Sequence, residues 1–293
     1  MLSPERLGYL FLNVRDVEAS TEFYEKAVHL EVTERKDGRV YLRGGTDHHW
    51  LVLKQSDSPG LERIGIEVED SATLDAYQEL LHDKGIHVEA GDGLESDRIL
   101  RYLRFYDPSG NPLELYCDMV TVNPTKAKPI HFEEIQHIVI AVHDFPTAID
   151  FYTNVIGMKV SDFSERSNAW MHFRNGWHHG IGIASGGGRT SGLNHVCFMP
   201  EDLDMTMRAR AAVQRLGLKI TNDILKHRGS ESIGFYFQGP DTTVEFSWGA
   251  RKFAVDEVYK PRVLARNMGG DIWKAGLEDL ELLSAPIKAE VAT

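Results

Sequence analysis

The chain is short of cysteine, of basic charge and of long apolar runs. Only Cys117 and Cys197 occur among 293 residues, each inside an apolar strand-like stretch, so they read as buried free thiols rather than a disulfide or a thiolate metal site. Lys and Arg number 32 against 44 Asp and Glu, a formal charge of −12. Such a field repels phosphate backbones and excludes nucleic acid as an expected partner. No run approaches the length of a membrane span, and MLSPERLGYL lacks the charged-then-apolar order of a signal peptide. A cytoplasmic protein with no membrane partner is expected. Gly186-Gly187-Gly188 lacks the Lys-Ser/Thr of a phosphate loop and reads as a connector. The remaining composition, 42% hydrophobic and 26% charged, is that of an ordinary globular protein with room for two domains.

What is present is a duplication. LGYLFLNVRDVEASTEFY (7–24) lies against QHIVIAVHDFPTAIDFY (136–152), which sets Asp16 on Asp144 and Tyr9 on His137. IGIEVED (64–70) lies against VCFMPED (196–202) and sets Arg63 on His195. DPSGNPLELY (107–116) lies against GPDTTVEFSW (239–248) and sets Glu114 on Glu245. The first copy therefore offers Tyr, Arg and Glu where the second offers His, His and Glu. Two imidazoles and a carboxylate are the ligand set of a mononuclear iron(II) site with open positions, so His137, His195 and Glu245 are the expected metal ligands. A lone strand histidine is more often a core residue; two at matching places in successive modules, with a carboxylate on the closing strand, make a ligand set the expectation.

Each half divides again, into a strand, a helix and further short strands. The helices are expected at VEASTEFYEKAVHLEV (17–32), SATLDAYQELLHDKG (71–85), PTAIDFYTNVIG (146–157) and LDMTMRARAAVQRLG (203–217). Two short strands are read after the first helix, RVYLRGG and HHWLVLKQ, and two after the second. Asp118 to Phe132, with two prolines and no sustained period, reads as the linker, giving domains 1–125 and 126–293. The stretch from Gly249 has no counterpart in the first half, and its AGLEDLELL segment (275–283) is weakly amphipathic.

Four such modules, paired in two domains with metal ligands only in the second, resemble the type I extradiol ring-cleaving dioxygenases of the vicinal oxygen chelate superfamily. The resemblance covers roughly residues 5 to 250. It implies an α+β fold of four βαβββ modules in two glyoxalase-like domains, Fe(II) as cofactor with Mn(II) as the lesser choice, and a catecholic small molecule and O2 as substrates. It also implies a homo-oligomer. On the same resemblance His178 and His179 in NGWHHGIGIA form the paired-histidine segment, one of them handling protons, and the spacing to His195 favours His179. The first half has His48-His49 at the corresponding strand, which gives a structural reading of the pair some force beside the functional one. His227 and Tyr236 are expected to hydrogen-bond substrate oxygens. The chain departs from the dihydroxybiphenyl type after His227, where Arg228-Gly229-Ser230 stand in place of Asn-Asp. Trp170, Met171, Phe173, Trp177 and Met199 are left between the core and the pocket mouth. Two rivals remain: a glyoxalase-like lyase or isomerase, whose ligands would come from both module pairs, and a metal-free drug-sequestering protein of the bleomycin-resistance type.

Overall fold

A computed structural model describes residues 2–123, 128–165, 167–185, 191–255, 257–265 and 271–273; the Gly186–Gly188 run and the 275–283 segment lie outside them. The first half runs β1 (Arg6–Val14), α1 (Val17–Lys26), β2 (Glu31–Lys36), β3 (Arg39–Arg43), β4 (Leu51–Gln55), β5 (Gly60–Glu67), α2 (Ser71–Asp83), β6 (Glu89–Gly93), β7 (Ile99–Tyr106) and β8 (Pro112–Met119). The second runs β9 (Phe132–Val142), α3 (Phe145–Asn154), β10 (Lys159–Ser164), β11 (Asn168–His172), β12 (Ile181–Ser185), β13 (Leu193–Pro200), α4 (Leu203–Arg215), β14 (Ile220–Lys226), β15 (Ile233–Gln238), β16 (Thr243–Trp248) and β17 (Arg262–Leu264). This is the α+β plan of four strand-helix-strand-strand-strand modules.

All four helices start the same way. Asp16, Asp70, Asp144 and Asp202 sit in extended backbone and accept a hydrogen bond from the amide three residues on. Each cap contributes about 1 kcal/mol, and the repeated aspartate is why the sequence copies align so clearly at these points. The ends are less legible. The first helix stops at Lys26, not at Val32, and Glu31 already begins β2. His29 there takes a left-handed φ of 61°, where the other three modules have Gly85, Gly157 and Gly217 at φ 71°, 82° and 69°. Histidine is not a helix-stop signal, so the reading overran. The strand following each helix, β2, β6, β10 and β14, was also missed; these are half-exposed and carry little apolar alternation.

Each half forms one sheet, ordered β2-β3-β4-β1-β5-β8-β7-β6 in the first and β14-β15-β16-β13-β9-β12-β11-β10-β17 in the second. Within each half the two modules meet at an antiparallel central pair, β1/β5 or β9/β13, flanked by parallel neighbours. The apolar core runs through both halves; Trp50 of the first stacks on Phe198 of the second, and Tyr77 donates to the Ile156 carbonyl. Met171, Phe173 and Met199 are buried in the body, and Trp177 packs under Lys252. No helix among the described residues is long and apolar enough to cross a membrane.

One buried carboxyl gives a pH signature. Glu134 on β9 is 9% exposed and accepts from Asn175; burial pushes its pKa up to about 7. The folded protein thus holds a proton that the unfolded chain releases near pH 4 to 5, and stability falls as pH rises from there through 7. Glu134→Gln is expected to add about 3 kcal/mol at pH 8 and little at pH 4, read as melting temperatures at the two pH values.

Candidate metal centre and its cavity

His137 lies on β9, His195 on β13 and Glu245 on β16, three strands adjacent in the sheet. A bulge precedes each histidine. Cys197 pairs with His137 and Phe198 with Ile135, leaving Gln136 as the extra residue; Leu193 pairs with Ile140 and His195 with Val139, leaving Asn194. An extra residue bends the strand and re-aims the side chain beside it. Both extra residues also hold the ring they precede: Gln136 Oε1 is 3.2 Å from His137 Nδ1, and Asn194 Oδ1 is 2.9 Å from His195 Nδ1. An amide oxygen can only accept, so each neutral ring carries its proton on Nδ1 and keeps a lone pair on Nε2.

Those lone pairs converge. His137 Nε2 is 3.0 Å and His195 Nε2 3.1 Å from Glu245 Oε2, and the two nitrogens are 3.4 Å apart. Donors bound at about 2.1 Å and at right angles on one first-row divalent ion lie about 3 Å from each other, so the triangle matches one face of an octahedral ion. Burial works to raise the Glu245 pKa, but the His137, His195 and His227 rings gathered around it hold it well below the carboxylate range; burial lowers His137. A carboxylate with neutral imidazoles is the protonation state that a cation needs. Cys197 Sγ also lies within 4.8 Å of donor atoms of His137 and Glu245. Burial pushes that thiol well up, and a thiol kept protonated is a poor ligand, so His195 is the better third donor.

The first half keeps the framework and fills the place. Bulges at Gly8 and Glu62 precede Tyr9 and Arg63, and both side chains turn onto Glu114: the Tyr9 hydroxyl donates to Oε1, and Arg63 Nη1 reaches Oε2 at 2.8 Å, joined by Arg104 Nε at 2.6 Å. Guanidinium charge stands where the second half converges three donors. The tyrosine is accommodated because Gly65 faces it; a Cβ there would lie 2.3 Å from the Tyr9 ring.

A cavity of about 650 Å³ opens over the second-half triad, lined by His137, His179, His195, His227, Tyr236 and Glu245 and walled further out by Trp170. Tyr236 on β15 pairs with Glu245, and its hydroxyl is 3.2 Å from His227 Nε2, which in turn is 2.9 Å from Glu245 Oε1. Burial, then the nearby Glu245 charge, raises the Tyr236 pKa well above its ordinary value, so this phenol stays a donor. His179 packs against His137 with ring centroids 3.9 Å apart and planes tilted by 34°, and burial with His137 and His178 beside it lowers its pKa far below the ordinary histidine range. His178 is the deeper of the pair, bonded to Asp162. All seven site residues expected from the sequence line this one cavity.

Sequence reading missed four residues. Gln136 and Asn194 were findable, since each histidine ligand candidate is preceded by an amide residue. Asp162 lies on a strand that went unread. Arg262 belongs to the stretch with no counterpart in the first half; its strand β17 extends the sheet beside β10 and sets Arg262 on Asp162.

A sequence model of the Glyoxalase/Bleomycin resistance protein/Dioxygenase superfamily matches residues 6–115 and 134–246. The chain is 29% identical over 288 residues to a biphenyl-2,3-diol 1,2-dioxygenase of Sphingomonas paucimobilis, covering 89% of this chain and 94% of that one. Among solved structures it resembles a Mn(II)-bound glyoxalase from Novosphingobium aromaticivorans, with a TM-score of 0.85, 22% identity, and coverage of 93% of this chain and 91% of that one. A halotolerant catechol dioxygenase gives a TM-score of 0.85 at 21% identity, covering 96% and 97%.

Proposed function

The chain belongs to the glyoxalase/bleomycin resistance protein/dioxygenase superfamily, and within it we propose an extradiol dioxygenase that opens a substituted or bicyclic catechol beside its two hydroxyls. Both atoms of O2 enter the product. The observation that carries this reading is the one-sided donor set: His137, His195 and Glu245 converge in the second half, while Tyr9, Arg63 and Arg104 occupy the first. A glyoxalase-like lyase drawing ligands from both module pairs would meet there only Glu114 already engaged by Tyr9, Arg63 and Arg104, and a metal-free binding protein has no use for the triad. The similarity to a biphenyl-diol dioxygenase over nearly its whole length supports the same choice. A cavity of about 650 Å³ falls within the roughly 300–1,000 Å³ usual for small-molecule sites.

His137, His195 and Glu245 would hold iron(II), which supplies one-electron chemistry and open positions where two vicinal oxygens and O2 meet; zinc, being redox-inert, cannot. Manganese(II) is the second choice. Tyr236 and His227, on one side of the triad, are placed to donate hydrogen bonds to a substrate oxygen and to charge that develops there. His179, packed on His137, accepts and returns protons on the cavity side. The surrounding bulges and amide contacts fix the ring orientations before substrate arrives.

The test is anaerobic loading with iron(II) followed by oxygen-electrode assays with 2,3-dihydroxybiphenyl, 1,2-dihydroxynaphthalene and catechol. One O2 consumed per ring opened, at about one iron per chain, is the expected result. Oxygen-independent turnover of a hemithioacetal, with no catechol cleaved, would establish the lyase reading instead.

A further inference from the structure

We propose that Asp162, clamped by Arg262, is a positioning residue that acts through His178 to fix which nitrogen of His179 carries the proton. This rests on His179 being the proton-handling group of the site described above.

The argument is one of hydrogen-bond direction along a buried chain. Asp162 is fully buried and ionised: Arg262 donates Nε to Oδ1 at 2.9 Å and Nη2 to Oδ2 at 2.6 Å, and the Tyr259 hydroxyl and Arg262 amide add contacts to Oδ1 at 3.1 Å each. His178 Nε2 lies 2.9 Å from Asp162 Oδ2. A carboxylate only accepts, so that nitrogen bears the proton and the other, Nδ1, keeps its lone pair. His178 Nδ1 is 3.1 Å from His179 Nδ1. Two lone pairs cannot face each other there, so His179 Nδ1 donates and Nε2 is left bare for the cavity. The reverse assignment would point a lone pair of His178 at a buried carboxylate. Each link forces the next, and the chain ends on a base in the protonation state that accepts a proton.

Arg262 does a second job at the same time. Its Nη2 also donates to the Gly229 carbonyl at 2.8 Å, tying the loop that follows His227 to the same carboxylate. The stretch after Gly249 is thereby joined to both arms of the site.

The first half holds a copy of this chain. His48 Nδ1 is 3.2 Å from His49 Nδ1, His48 Nε2 is 3.3 Å from Glu34 Oε2, and Arg98 pairs with Glu34. It ends on a His49 Nε2 that is buried with no hydrogen-bond partner and faces Tyr9. The motif is therefore a feature of the module, with a task only in the half whose chain ends at the donor triad. The copy supplies an internal control for any effect on stability alone.

Asp162→Asn tests the idea because the clamp dictates how an amide would sit. Oδ1 receives three donors and Oδ2 receives Arg262 Nη2 and His178, so the amide oxygen takes the Oδ1 place and its NH2 turns Arg262 Nη2 away and faces His178 Nε2. That nitrogen must then accept, and both tautomers invert. Wrong-tautomer substitution in the serine protease triad costs about 10⁴-fold in kcat. Here kcat is expected to fall about 10²–10⁴-fold, with the KM for catechol and anaerobic catechol affinity within a few-fold of the parent. Glu34→Gln should leave kcat within about twofold, since its chain leads nowhere. Ring-15N NMR of the metal-free full-length parent should show His179 protonated at Nδ1 and bare at Nε2, and the reverse in Asp162→Asn.

A parent His179 protonated at Nε2 would overturn the proposal, as would Asp162→Asn with the parent kcat, or an equal loss of kcat in Glu34→Gln. If Asp162→Asn does not fold, the parent tautomer alone decides. Failure of the dioxygenase reading would look different: the tautomer as stated, with no catechol opened.

Discussion

The His195→Ala protein is expected to keep a cooperative melt while failing to retain added iron(II) and losing turnover. His195 sits at the mouth of β13 and contributes one of three converging donors. Loss of a partner that merely orients a ligand costs ~10–100-fold in metal affinity, so loss of a ligand itself should exceed that and leave the protein iron-free after desalting. The fold does not depend on it. Arg63 occupies the same place in the first half, beside the same bulge and the same glutamate, and that half is fully built. The stability change should stay within about 1–2 kcal/mol. Iron content, circular-dichroism melting and oxygen uptake check the three parts separately. Normal turnover in this variant would remove His195 from the site and bring Cys197 back into contention as third donor.

His179→Gln should slow the oxygen-dependent steps by about 10²–10⁴-fold, the usual contribution of a positioned proton-transfer group, while catechol still binds. Binding would survive because the triad, His227 and Tyr236 are untouched by the change. Mixing the anaerobic enzyme-catechol complex rapidly with oxygen separates these effects. A parent-like rate in His179→Gln together with a slow His178→Gln would mean that the inner histidine carries the proton, contrary to its hydrogen bond with Asp162.

The sequence carried the duplication, with Asp16 set on Asp144, and the contrast between the two halves, because each is a local signal repeated at matching places. Of the seven site residues around the cavity, His137, His195 and Glu245 followed from that contrast, and His178, His179, His227 and Tyr236 from the family resemblance. The sequence did not carry the strand after each helix, since these strands are short, half-exposed and without alternation, nor the early end of the first helix at His29. The bulges were invisible for a different reason. An extra residue is defined only by what lies opposite, and Gln136 and Asn194 become bulges through the pairing of β9 with β13. Arg262 was beyond reach in the same way, because its meaning comes from a partner a hundred residues earlier.

The most direct test of a ring-opening dioxygenase at the second-half triad is isotopic. The iron(II)-loaded protein would be given a catechol under 18O2, and the ring-opened product trapped at once and weighed by mass spectrometry. Two labelled oxygen atoms per product, obtained with iron(II) and lost with zinc(II) or on Glu245→Ala, is the outcome expected. An unlabelled product, or equal turnover with zinc(II), would contradict it.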